Sequence, residues 1–288
     1  MRRGGWEDDV RSKVLITGAT GGLGKAFAIE GARRGWDLAL SDMDKARLDL
    51  LAGGLSRTYG VEIVCHVCDL TLAEERASLL EALGAEGVRY RMLMNVAGGD
   101  AQGLFRSRSP EDIQAIVRLN IEATLDITRR MLELTDPMTP FRIITVASLA
   151  AFFPMPVKAV YAASKRFLLD FSLALREELS RQGATVTVLC PAGMPTNQAC
   201  IDAIEAQGLG GYLTTWNVGA VAGLTIDRAM KGQAVVVPGL INQGLRLMGG
   251  MAPSGLVSAV IGSRWRKADG ISKHDGAAMQ AEAAGAIP

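Results

Sequence analysis

Short apolar runs alternate along the chain with longer stretches in which apolar residues recur every three or four positions. The short runs predict strands at Lys13–Thr17, Asp37–Ser41, Glu62–Val67, Arg91–Asn95, Arg142–Ala147, Thr185–Cys190 and Ala234–Val237. The longer ones predict helices at Gly22–Arg34, Asp44–Tyr59, Leu72–Leu83, Pro110–Leu134, Val160–Gln182 and Val218–Lys231. Strict alternation implies right-handed βαβ crossovers and a parallel sheet with helices on both faces. The chain therefore reads as α/β, a single doubly wound domain over residues 12–240 behind an N-terminal extension, 1–11. Two regions break the rhythm. Residues 194–216 form a long connection with glycines at 208, 210 and 211, the length expected of a lid. After Pro238, residues 241–267 mix apolar and basic positions in an amphipathic extension, and 268–288 are rich in Ala and Gly and expected to be disordered.

Composition narrows this picture. The 288 residues can bury a large core, 49% of them are apolar, and a net charge of +1 gives no electrostatic reason to expect nucleic acid. Cys65 and Cys68 form a CxxC, but inside an apolar run and with no second ligand pair at metal spacing, so they read as core residues and no metal site is expected. Residues 1–9 lack an apolar leader and no stretch is long enough to cross a bilayer, so a cytoplasmic location is the expectation.

Candidate chemistry begins where the first strand runs into Thr17-Gly-Ala-Thr-Gly-Gly-Leu-Gly24 and then a helix. Gly18, Gly22 and Gly24 allow a tight turn and close approach of a pyrophosphate to the helix N-terminus, whose free N–H groups and dipole favour an anion. Asp42 closes the second strand, where a carboxylate accepts hydrogen bonds from ribose hydroxyls and repels a 2′-phosphate. NAD is therefore expected over NADP. Asp69, after the third strand, is a candidate partner for the adenine amine.

At the other end of the cofactor, Tyr161 and Lys165 lie four apart on one helical face. An ammonium beside a phenol is expected to lower its pKa and make it a usable acid/base. Ser148 follows a strand at its C-terminal end and Asn95 ends another, both on the rim where ligands bind in such sheets. Asn120 falls inside an apolar helical pattern and so needs a buried partner.

Together TGATGGLG at 17–24, NVAG at 95–98, Asn120, Ser148, YAASK at 161–165 and PAG at 191–193 resemble the short-chain dehydrogenase/reductase family over roughly residues 12–240. The resemblance implies a Rossmann fold with about seven parallel strands and an Asn120, Ser148, Tyr161, Lys165 tetrad. Ser148 would orient the substrate oxygen, Tyr161 exchange the proton, Lys165 bind the nicotinamide ribose and tune the tyrosine, and Asn120 hold a relay water. The implied cofactor contacts add Thr20, Leu23, Leu70, Asn95, Ala97, Gly98, Pro191, Gly193 and Thr196. Phe153, Met155 and Met194 are candidate substrate linings beside Ser148 and Tyr161, favouring an apolar molecule. Val96 departs from the asparagine usual in NNAG, Ala192 from Pro-Gly, and Pro195 unsettles the placing of Thr196. A homodimer or homotetramer through helices 110–134 and 160–182 is implied as well. Two other readings stay open: an NAD-binding sensor without turnover, and a reductase of lipid-like ketones lying on a membrane surface through 240–267.

Overall fold

The computed structural model describes residues 12–100, 102–135, 139–196, 198–206 and 209–251, with 255, 257–259 and 261–263. Extension 1–11 and the tail expected over 268–288 lie outside the described residues. Seven parallel strands, β1 (Ser12–Thr17), β2 (Leu38–Asp42), β3 (Ile63–Val67), β4 (Arg89–Asn95), β5 (Arg142–Val146), β6 (Thr185–Leu189) and β7 (Val235–Val236), lie in the order β3-β2-β1-β4-β5-β6-β7. Chain order reverses between β1 and β4, which opens a crevice at their carboxyl ends.

The strands are apolar on both sides because both sheet faces are covered. Val14 and Ile16 join Phe27 of α1 (Gly22–Arg33), Leu48 and Leu55 of α2 (Lys45–Tyr59), and Val221 and Ile226 of α9 (Val218–Met230) in one core. Leu15 and Leu93 point the other way, toward Leu79 and Leu83 of α3 (Ala73–Ala85) and Ile127 and Met131 of α5 (Ala123–Met131). Asp44 caps α2 by accepting from the Arg47 amide at 3.0 Å, and Gly60 ends that helix in the left-handed region.

Three expectations change. The helix expected over 110–134 is α4 (Pro110–Val117) and α5 joined by a π-helical turn, Arg118–Glu122, that contains Asn120. One extra residue in that turn re-aims the asparagine, a common use of π-bulges at functional sites. The long connection after β6 is not a bare loop. It folds into α7 (Gln198–Ala206) and α8 (Leu209–Thr214). The apolar pattern after Pro238 forms α10 (Leu240–Met251), whose inner face rests on the turn Leu149–Phe152. Helix α6 (Ala159–Leu179) runs as expected, ending in a 3₁₀ turn.

Candidate active site

The loop Thr17–Gly24 leaves β1 through Gly18 at φ +65°, and a Cβ there would lie 2.7 Å from the Ala97 backbone. A Cβ on Gly24 would stand 2.0 Å from the Gly18 carbonyl oxygen, so glycine is required for α1 to sit against the strand end. Thr17 Oγ1 accepts from the amides of Val96 and Ala97 at 3.1 and 3.3 Å, locking the ends of β1 and β4 together. Helix α1 has no side-chain cap and no acid in its first turn, which leaves its positive end available to an anion. Asp42 closes over the same loop: Oδ2 accepts from the Thr20 amide at 2.9 Å and Oδ1 from the Met43 amide at 2.8 Å. An uncapped helix end, a glycine-lined approach and a carboxylate at the tip of β2 fit a dinucleotide, with pyrophosphate at α1 and ribose at Asp42.

Farther along the rim, Asn120 is fully buried, and its amide makes three hydrogen bonds. Oδ1 accepts from the Gly99 amide at 2.8 Å, and Nδ2 donates to the Gly99 carbonyl at 3.0 Å and to Ser164 Oγ at 2.9 Å. The buried partners demanded by its place in an apolar helix are thus Gly99 and Ser164. Lys165 donates from Nζ to the Val146 carbonyl at 3.0 Å and lies 5.8 Å from the Tyr161 ring centre. A Cβ on Gly98 would approach Lys165 Nζ to 3.0 Å and Asn120 Oδ1 to 3.2 Å, so a larger residue there would press on both groups. Ser148 Oγ accepts from the Ala150 amide at 3.1 Å and is hydrogen-bonded to the Tyr161 hydroxyl. All four tetrad side chains therefore gather at the carboxyl ends of β4 and β5.

The electrostatics depart from expectation. Burial raises the Tyr161 phenol from its ordinary value near 10 to about 12, a rise that the Ser148 hydrogen bond only partly offsets and Asp100 augments. Burial also lowers Lys165 from 10.5 to about 8, against the pull of Asp100. Burial outweighs the acidifying pull that Lys165 was expected to exert on the phenol. Desolvation penalises the charged form of each group and drives both toward neutrality.

Other expected residues separate into two groups. Leu23, Leu70 and Pro191 are buried beside the crevice strands, and Gly193 lies near Ile204 and Thr215. Thr196 packs on the start of α1, since a Cβ on Gly22 would meet its side chain at 2.7 Å. Asp69 forms a turn, accepting from the Thr71 amide and hydroxyl at 2.9 and 2.7 Å. Asn95, however, is buried and donates to Thr128 of α5 at 2.9 Å, so its amide ties strand to helix instead of facing the crevice. Phe153 and Met155 line an apolar groove of about 480 Å³ with Ala159, Ala163 and Arg166. None of the four tetrad side chains lines that groove. Met194 packs against the core on the α1 side of the sheet.

Sequence reasoning missed Thr17, Gly99, Ser164, Asp100 and Lys158. Thr17 and Ser164 stand inside the motifs already singled out, so a polar side chain at a buried helical or strand position was the available signal. Nothing local marks Asp100 and Lys158, which are far apart in sequence and pair only in the fold. Cys65 and Cys68 are free thiols whose pKa values burial raises, Cys68 to about 11, in keeping with core placement.

The short chain dehydrogenase family model matches residues 12–200, which hold the glycine loop and the whole tetrad. The chain belongs to the short-chain dehydrogenase family. Relatives within it include the very-long-chain 3-oxoacyl-CoA reductase of Laccaria bicolor, 31% identical over 64% of this chain and 53% of that protein. The 17-beta-hydroxysteroid dehydrogenase type 3 of Homo sapiens is 30% identical over 64% of this chain and 59% of that one. The chain thus spans little more than half the length of these relatives. A solved short-chain dehydrogenase from Sphingobium yanoikuyae, in complex with NADPH, is 29% identical with a TM-score of 0.72, covering 85% of this chain and 94% of that one. The bulky-bulky ketone specific alcohol dehydrogenase from Comamonas testosteroni is 26% identical with a TM-score of 0.70, covering 83% and 93%.

Proposed function

We propose that this short-chain dehydrogenase is a nicotinamide-dependent ketoreductase or alcohol dehydrogenase, with Tyr161 as its acid/base. The observation that carries the reading is the convergence of Tyr161, Ser148, Lys165 and Asn120 beside the crevice that the glycine loop opens. Bound nicotinamide supplies or accepts the hydride. Ser148, bonded to Tyr161, is placed to hold the substrate oxygen, and the phenol, kept neutral by burial, gives that oxygen its proton during reduction. Lys165 is anchored by Val146 within reach of the phenol, and Asn120 fixes the Gly99 backbone beside it. In the oxidative direction the same phenol must first lose its proton, so oxidation is favoured by alkaline pH.

Replacing Tyr161 by Phe tests the reading. Reduction of a panel of ketones, followed by loss of reduced-nicotinamide absorbance, should fall by about 10²- to 10⁴-fold. Undiminished turnover would refute it. Cofactor binding by the unaltered chain with no turnover on any substrate would favour the sensor reading.

NAD is the cofactor this reading prefers. A carboxylate at the tip of β2, Asp42, would repel a 2′-phosphate brought near it, the loop 17–24 has no cation, and the neighbouring cations Lys45 and Arg47 are paired with Asp49 and Asp44. Asp42→Ala should raise kcat/KM for NADPH relative to NADH, and an unchanged ratio would remove the argument. Substrates with a bulky apolar body are favoured, in line with what the names of the relatives say they act on. A homo-oligomer through α5 and α6 is supported by the outward Ala159, Ala163 and stacked Phe167–Phe171 pair, and light scattering would test it.

A membrane-surface reading has one observation in its favour. Leu240, Ile241, Leu247 and Met248 share the outward face of α10, all exposed. Flotation with liposomes, and its loss when Leu247 and Met248 become Ser, would establish that contact.

A further inference from the structure

Two segments meet at the mouth of the tetrad, the one that follows β4 and the one that leads into α6. Val157 stands at φ +73° although its side chain is β-branched and buried, a conformation that surrounding contacts must hold. Two ties do so. The Gly103 amide donates to the Val157 carbonyl at 2.9 Å, and Lys158, the next residue, forms an ion pair with Asp100. The Lys158 side chain is only 12% exposed, and its ammonium lies 5.6 Å from the centre of the Tyr161 ring. Asp100 directly follows Gly99, the residue whose amide and carbonyl Asn120 holds.

We propose that the Asp100–Lys158 pair is a positioning and charge-setting device for Tyr161, fixing the backbone that launches α6 and balancing the field at the phenol. The inference rests on the reading of Tyr161 as the acid/base. Neither residue touches the reacting atoms, so both act through the tyrosine. Among the described residues, the charged and titratable groups facing the phenol are Lys158 just before α6, Lys165 on α6, Asp100 after β4, Cys190 beyond β6 and Cys200 on α7. Arg246 of α10 acts on Cys190. Asp100 comes ahead of both thiols in its effect on Tyr161, and it acts on Lys165 in the same upward direction.

The arrangement makes opposite predictions for its two halves. Asp100→Asn removes the anion and keeps the Lys158 cation, so the phenol should ionise at lower pH. Lys158→Met removes the cation and leaves Asp100 uncompensated, so the phenol should ionise at higher pH. Each displacement should be about half a pH unit or more, and the double variant should return close to the parent value. Ultraviolet titration of the phenolate in the full-length protein, with Tyr161→Phe subtracted, reads this without turnover. The pH profile of alcohol oxidation should move the same way. A purely structural clamp would move both single variants in the same direction or neither, with loss of thermal stability, and either result overturns the proposal. If the parent titrates as described but turns over no alcohol, the functional reading fails while the pair's effect on Tyr161 stands.

Discussion

Lys165 should destabilise the fold that contains it, and replacing it should show by how much. Its pKa falls from 10.5 to about 8 because the ammonium is stripped of water. At about 1.4 kcal/mol per pH unit, this displacement corresponds to about 3 kcal/mol of folding free energy. The sign follows from proton counting. Between about 8 and 10.5 the unfolded chain holds a proton on Lys165 that the folded chain has released, so stability rises with pH through that window and the penalty is complete below it. Methionine removes the ionisable group but gives up the 3.0 Å hydrogen bond to the Val146 carbonyl, a loss of about 1 kcal/mol. Lys165→Met should therefore gain about 2 kcal/mol at neutral pH, or about 5 °C in Tm, while losing activity. Urea unfolding of both proteins near neutrality and near pH 10 is the assay. The advantage should be full at the lower pH and shrink at the higher, because near pH 10 the folded parent has released the Lys165 proton and most of the penalty with it. A methionine variant less stable than the parent at neutral pH, or a difference that ignores pH, would refute the desolvation argument.

Three further changes probe the frame around the site. Gly24→Ala places a methyl 2.0 Å from the Gly18 carbonyl oxygen, so α1 must shift; dinucleotide affinity should fall by at least about tenfold, measured by fluorescence titration. Asn120→Ala leaves the Gly99 amide and carbonyl and the Ser164 hydroxyl short of partners, and should cost about 3 kcal/mol in chemical unfolding. Arg76 is buried, donating to Asp126 at 3.0 Å and to the Leu70 carbonyl at 2.8 Å. Arg76→Met should cost about 2 kcal/mol in the same assay and loosen the Asp69–Leu70 turn, visible as faster amide exchange there.

How much of this was legible in the sequence depends on the range over which each signal acts. Strand alternation and the glycine spacing are local, so all seven strands and the turn into α1 could be read within two residues of their ends. The tetrad was legible because a parallel sheet sends the end of every strand to one rim, so that Ser148 after β5 and Tyr161 on the next helix had to converge. What escaped was set by partners distant in sequence. The π-turn at Asn120 has no signature in 110–134 alone. It forms because the amide finds Gly99 and Ser164, 21 and 44 residues away. The pKa order was misjudged for a related reason. Four-residue spacing on a helix reveals that Lys165 lies near Tyr161, but not that the fold strips both of water. Desolvation raises the phenol to about 12 despite the lysine beside it. Proton transfer at Tyr161 therefore depends on what restores polarity around the phenol, and the fold supplies Ser148 and the Asp100–Lys158 pair within reach of it.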